Sequence, residues 1–157
     1  MSVVALSSIK SHLTRNQCLL GLDLGSKTIG LAVSDPSLII ASPIDTIKRA
    51  KFTIDAQTLI KLHSKHQIGG WILGLPVEMD GQEGARCQST RQFAANFLNL
   101  SDIPIAFWDE RLSTSAVNRF LINEADMTRK RRGQVVDKMA AAYILQGALD
   151  SLDFPRL

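Results

Sequence analysis

The sequence predicts an α/β fold: a mixed β-sheet with helices on its faces, in one domain. Three observations predict it. Residues 17–24 (QCLLGLDL) are a nearly continuous apolar run, as expected of a strand buried on both faces, and residues 28–34 (TIGLAVS) follow a tight Gly25-Ser26-Lys27 turn as the second arm of a hairpin. Farther along, short apolar runs alternate with helical patterns, which calls for strands joined by crossover helices. The chain has 157 residues, one domain's worth, and no break in composition marks a second.

The remaining elements follow in order. A third strand is expected within residues 38–47, broken by Pro43. Ile54, Leu59, Ile60 and Leu62 give residues 52–66 a helical pattern. Residues 70–75 (GWILGL) read as a buried strand stopped by Pro76, and residues 84–98 as a helix with Phe93, Ala94 and Phe97 on one side. Residues 105–108 form a strand after Pro104, residues 113–122 a helix, residues 129–133 a basic loop, and residues 135–152 a final helix. The order is β-β-β-α-β-α-β-α-α. Residues 1–16 contain no acid and read as a short extension outside the core, leaving 17–157 as the single domain.

Composition excludes several classes. With 45% hydrophobic and 21% charged residues the chain is neither disordered nor fibrous. No apolar run approaches the roughly 20 residues that cross a bilayer, so no membrane partner is expected. Cys18 and Cys87 make neither a disulfide framework nor a metal-ligand spacing, and they read as small buried hydrophobes. A reducing, cytoplasmic setting is the simplest expectation. The net charge of +3 suits an anionic partner without demanding one.

Three carboxylates carry the chemical signal. Asp23 lies between Leu22 and Leu24 near the end of the most apolar strand, where an ionised group needs a partner, a cation or a raised pKa; an Asp capping the Gly25-Ser26 turn is the equal alternative. Asp137 shares a helix face with Ala141, Ile144, Leu145 and Ala148, the stripe that should meet the sheet; a first-turn Asp favoured by the helix dipole is the alternative. Glu110, within Asp109-Glu110-Arg111, directly follows a strand, where open α/β sheets place ligand-binding groups; alone it would read as solvated charge. Three converging carboxylates make sense around divalent cations. Two such ions can activate an attacking water and stabilise the leaving oxygen of a phosphodiester. His12, His63 and His66 are not spaced like a metal site, and His63 and His66 read as polar-face helix residues.

Arg129, Lys130, Arg131 and Arg132 supply a candidate grip on phosphates, set against the ordinary reading of a solvated charge run. Four such contacts to a duplex would lower log affinity by roughly 3.6 per unit of log salt. Lys27, Arg86, Arg91 and Arg111 are candidates for the same basic rim.

Four segments can be read together: Gly21-Leu22-Asp23-Leu24-Gly25-Ser26-Lys27-Thr28-Ile29-Gly30-Leu31-Ala32; Gly74-Leu75-Pro76 with Met79-Asp80-Gly81; Trp108-Asp109-Glu110-Arg111-Leu112-Ser113-Thr114; and Arg129 to Arg132 with Val136-Asp137-Lys138-Met139-Ala140-Ala141. Their order and content resemble the YqgF/RuvX family, whose members are named both as Holliday junction resolvases and as pre-16S ribosomal RNA nucleases. The resemblance covers residues 18–150. It implies a ribonuclease H-like fold, a five-stranded mixed sheet with helices on both faces. It also implies a Mg²⁺- or Mn²⁺-dependent nuclease site, carried over by position to Asp23, Glu110 and Asp137, with Lys27, Arg111 and Arg129 to Arg132 on the substrate. Thr28 stands where the family usually has arginine.

The reading that follows is a metal-dependent endonuclease, a hydrolase acting on structured nucleic acid in 5′-end maturation of precursor 16S rRNA, with the ribosomal small subunit as a partner. A resolvase acting on branched DNA is its nearest alternative; it would need two active sites and hence a two-fold dimer, for which the sequence identifies no surface. Two other classes compete. An actin- or sugar-kinase-type phosphotransferase shares the Asp-x-Gly hairpin but resembles two such domains closing over ATP, and this chain supplies one. A non-catalytic RNA-binding assembly module would bind without turnover.

Overall fold

The computed structural model describes residues 3–112 and 129–153, with 112, 129–137 and 153 followed along the backbone only. β1 (Cys18–Leu24) and β2 (Thr28–Ser34) form the expected hairpin, antiparallel, with Asp23 opposite Gly30 and Leu24 opposite Ile29. The Gly25 N–H donates to the Thr28 carbonyl at 2.8 Å and closes the turn. β3 (Ala41–Lys48) pairs antiparallel with β2. Pro43 does not break β3. The strand lies at the sheet edge, where a missing N–H is tolerated, and the register shifts opposite it between Leu31 and Ala32.

α1 (Phe52–His66) crosses to β4 (Ile68–Leu75), which runs parallel to β1. α2 (Ala85–Leu98) then crosses to β5 (Ile105–Asp109), parallel to β4. The result is one five-stranded mixed sheet in the order β3-β2-β1-β4-β5. A short 3-10 turn, Glu110–Leu112, follows β5 directly. The helix expected over 113–122 lies outside the described residues. The last helix, α3, spans Arg129–Asp153, so the segment read as a basic loop is helical from its first arginine. Arg, Lys and Gln are good helix formers, and the single Gly133 lowers that preference by only about 1 kcal/mol.

The pleat of β1 sorts its side chains to two cores. Leu20, Leu22 and Leu24 face α1 and α2 and pack with Leu59, Trp71, Phe93 and Phe97. Leu19 faces the other way, into a core with Ala141, Ile144, Leu145 and Ala148 of α3. Helices therefore cover both faces. The stripe proposed for α3 is the buried one: those four residues are at most 2% exposed. The N-terminal segment, read as an extension outside the core, contributes to it. Ile9, in a 3-10 helix (Leu6–His12), is fully buried in the α3-side core, and Val3 bridges to Ile105. Its apolar residues follow no strand or helix period, which hid this from the sequence.

His63 also departs from the expectation of a polar-face residue. It is half-buried, and its Nε2 accepts a hydrogen bond from the Trp71 indole Nε1 at 3.0 Å. Burial pushes its pKa below the ordinary histidine value. Cys18 and Cys87 are free and buried. Among the described residues, no helix is long and apolar enough to cross a membrane.

Candidate functional site

Asp23 occupies a β1 position whose side chain alternates away from Leu22 and Leu24, toward the α3 side of the sheet. Glu110 opens the 3-10 turn after β5, two strands away, with β4 between them. The intervening β4 position is Gly74, and Glu110 folds over it: a Cβ built there would meet Glu110 Oε1 at 2.6 Å. The missing side chain leaves room for the carboxylate to lie across β4 toward β1. Asp23 and Glu110 are hydrogen-bonded to each other.

The electrostatics follow from that contact. Burial, the hydrogen bond to Asp23 and the charge of Asp23 together push the Glu110 pKa up to about 8. Glu110 therefore keeps its proton to higher pH than an ordinary glutamate and can donate it to Asp23. Asp109 adds to the upward push, while Arg86 opposes it. Asp109 itself is held below the usual carboxylate range by Arg111, which reaches it through Nε at 2.9 Å and Nη2 at 2.6 Å.

Asp137 can be placed by its backbone. Gln146 Oε1 accepts from the Ala41 N–H at the start of β3, and Met139 lines a cavity with Pro43 farther along that strand. α3 therefore runs opposite to β3, which points the same way as β1. Ala141 and Leu145 lie over Gly21: a Cβ there would meet Leu145 Cβ at 2.8 Å and the Ala141 carbonyl at 3.0 Å. One helical turn back from Ala141, about 6 Å along the axis, is residue 137. Two residues onward from Gly21, roughly 6.6 Å, is Asp23. Both steps lead to the same sheet edge. The Asp137 side chain lies outside the described residues, and among those described no three His, Cys, Asp or Glu side chains are grouped to hold a metal.

The basic candidates divide. Lys27 is exposed on the β1–β2 turn. Arg111 is tied to Asp109, and Arg91 pairs with Glu83 at 2.6 Å. Arg129 to Arg132 occupy the first turn of α3, their side chains outside the described residues. The sequence reading missed Arg49. It follows β3, and its Nη1 donates to the Gly25 carbonyl at 2.7 Å, so it reaches the turn that carries Asp23. Its position one residue past a strand, at the same edge as Glu110, was the available signal.

A family profile described as RuvX: Holliday junction resolvase matches residues 17–151. The chain belongs to the RuvX family. Its relatives include a protein of Paramagnetospirillum magneticum, 64% identical over 96% of this chain and 97% of its own length. One from Rhodospirillum rubrum is 59% identical over 99% of this chain and 97% of its own length. Both bear the name "Putative pre-16S rRNA nuclease". The fold is shared with Thermus thermophilus RuvC, solved in complex with a Holliday junction substrate, at a TM-score of 0.53 and 12% identity over 88% of this chain and 96% of RuvC. It is also shared with the fowlpox virus resolvase, solved with Holliday junction DNA, at a TM-score of 0.51 and 10% identity over 87% and 99%. RuvX membership and the names of these relatives make the chain a nuclease of ribonuclease H-like fold.

Proposed function

We propose that this protein is a metal-dependent endonuclease that hydrolyses phosphodiester bonds in structured nucleic acid, with precursor 16S rRNA as the substrate and ribosome biogenesis as the setting. The observation that carries the reading is the hydrogen-bonded Asp23–Glu110 pair, with Glu110 pushed up to about 8. Two half-buried carboxylates held in contact cannot both ionise cheaply unless a cation sits with them. Hard carboxylate oxygens suit Mg²⁺ or Mn²⁺. Asp23, Glu110 and Asp137 would hold the metal, which supplies Lewis-acid stabilisation of charge developing at phosphorus.

The chain's own groups then have distinct tasks. Asp23 and Glu110 present oxygens at the carboxyl edge of the sheet. Arg111 fixes Asp109 beside Glu110, and Lys27 with Arg129 to Arg132 hold the substrate backbone through its phosphates. The names of the relatives favour RNA, and the family description names a DNA junction, so both belong in one assay. Purified protein is offered a precursor 16S rRNA fragment and a DNA four-way junction, each with Mg²⁺, Mn²⁺ or EDTA. The expected result is cation-dependent cleavage of the RNA, lost in Asp23→Asn while binding persists. Wild-type turnover by Asp23→Asn, free of contaminating nuclease, removes Asp23 from the chemistry.

A further inference from the structure

The edge that carries Asp23 has a second side. Leu24, the next residue, faces α1 and α2, and there a cavity of about 190 Å³ opens beneath the β1–β2 turn. Gly25, Ser26, Arg49, Arg86, Ser89 and Thr90 line it, so its wall carries two guanidinium groups, three hydroxyls and no carboxylate. Arg49 is fixed in place. Its guanidinium stacks 5.7 Å over the Phe93 ring and spends one N–H on the Gly25 carbonyl. A guanidinium has five such donors. Leu24 and Gly25 of its lining follow Asp23 directly along the chain, so the cavity and the carboxylate pair are neighbours, and the charge of Arg86, in the first turn of α2, opposes the rise of the Glu110 pKa. The alternation of β1 side chains puts the carboxylates on one side of the edge and the cations on the other.

We propose that this cavity is a phosphate subsite, in which Arg49 and Arg86 hold a backbone phosphate flanking the bond cut at Asp23 and Glu110. The strand would straddle the sheet edge: one phosphate meets the acidic pair, and a neighbouring one enters the basic cavity. Paired guanidinium groups suit the fork geometry of phosphate oxygens, and Ser26 and Ser89 add hydroxyl donors. The subsite rests on the nuclease reading. It explains how a strand is held against a site whose own charge repels it.

The test reads binding, not cleavage, in EDTA on a precursor 16S rRNA fragment and on a DNA four-way junction, each across a salt series. Arg86→Ala should weaken binding about tenfold at low salt and reduce the slope of log affinity against log salt by about 0.9. Ser89→Asp, at an exposed position of α2, should weaken binding similarly by repulsion, and Ser89→Asn should not. Replacing single linkages near the cleavage point with neutral methylphosphonates should identify one linkage whose neutralisation weakens the wild type but not Arg86→Ala. A wild-type slope in both Arg86→Ala and Ser89→Asp, or additive losses at every linkage, overturns the subsite while leaving the nuclease reading intact. A wild-type protein that binds no junction and no precursor RNA overturns the nuclease reading itself.

Discussion

Glu110 lies against Gly74, on the strand that separates it from Asp23. A Cβ at Gly74 would come within 2.6 Å of Glu110 Oε1 and 2.5 Å of Ile144 Cδ1, the far ends of two flexible side chains. Gly21 differs. Its added Cβ would meet Leu145 Cβ and the Ala141 carbonyl, atoms fixed by the α3 backbone. Gly74→Ala should therefore leave stability within about 1 kcal/mol of wild type but cut cleavage at least tenfold, because a carboxylate displaced by an ångström is out of place. Gly21→Ala should cost about 1–3 kcal/mol by lifting the helix. Urea unfolding beside a cleavage assay separates the two effects. Equal damage from both substitutions would mean that Gly74 serves packing alone.

The Glu110 proton makes stability depend on pH in a predictable direction. The Glu110 pKa rises from about 4.5 when unfolded to about 8 when folded. Between those values the folded protein holds a proton that the unfolded chain releases. Its stabilising share is complete below pH 4.5 and is lost as pH rises through about 8. In EDTA, Glu110→Gln, which keeps a donor toward Asp23, should escape this loss and exceed wild-type stability at pH 9 by on the order of 2–4 kcal/mol. Added Mg²⁺ should raise wild-type stability at that pH and leave Glu110→Gln nearly unchanged. Unfolding curves at pH 5, 7 and 9 check both statements.

The elements that the sequence revealed are those whose local and tertiary preferences agree. α1 spans Phe52–His66 as its apolar spacing predicts, and the β1–β2 hairpin turns at Gly25. The buried stripe of α3 was legible because Ala141, Ile144, Leu145 and Ala148 repeat at helical spacing. What escaped depends on contacts distant in sequence. Nothing near Ile9 says that Ala141 and its neighbours will cover it. His63 looks polar until Trp71, from β4, offers it an indole N–H. Pro43 reads as a strand breaker, and only its edge position makes it tolerable. The acidic pair was legible as types at strand ends, but Gly74, which gives Glu110 its room, carried no chemical signal of its own.

His63 should make the α1–β4 contact sensitive to acid. Burial lowers its pKa, so protonation is resisted in the fold, and a proton on Nε2 would remove the acceptor that Trp71 uses. The contribution is present above the ordinary histidine pKa of about 6.5 and fades as pH falls below it. His63→Phe keeps the ring beside Trp71 and Phe97 but has no proton to gain. It should lower the melting temperature at pH 7, yet show less change than wild type between pH 7 and pH 5. Thermal melts followed by tryptophan fluorescence report it.

Arg111 can hold substrate or hold the site, and two substitutions distinguish these roles. Its guanidinium clamps Asp109, its own N–H donates to Asp109 Oδ1 at 2.9 Å, and Glu110 sits between the two residues. The clamp fixes the turn from which Glu110 projects. As a surface ion pair it contributes less than about 1 kcal/mol to stability. Its larger effect should fall on turnover, by positioning Glu110. Arg111→Lys keeps the charge but loses the planar fork. If Arg111 positions Glu110, the lysine variant should resemble Arg111→Ala in kcat while retaining near-wild-type KM. If Arg111 grips a phosphate through charge, lysine should restore both constants, and the residue then belongs with Lys27 on the substrate.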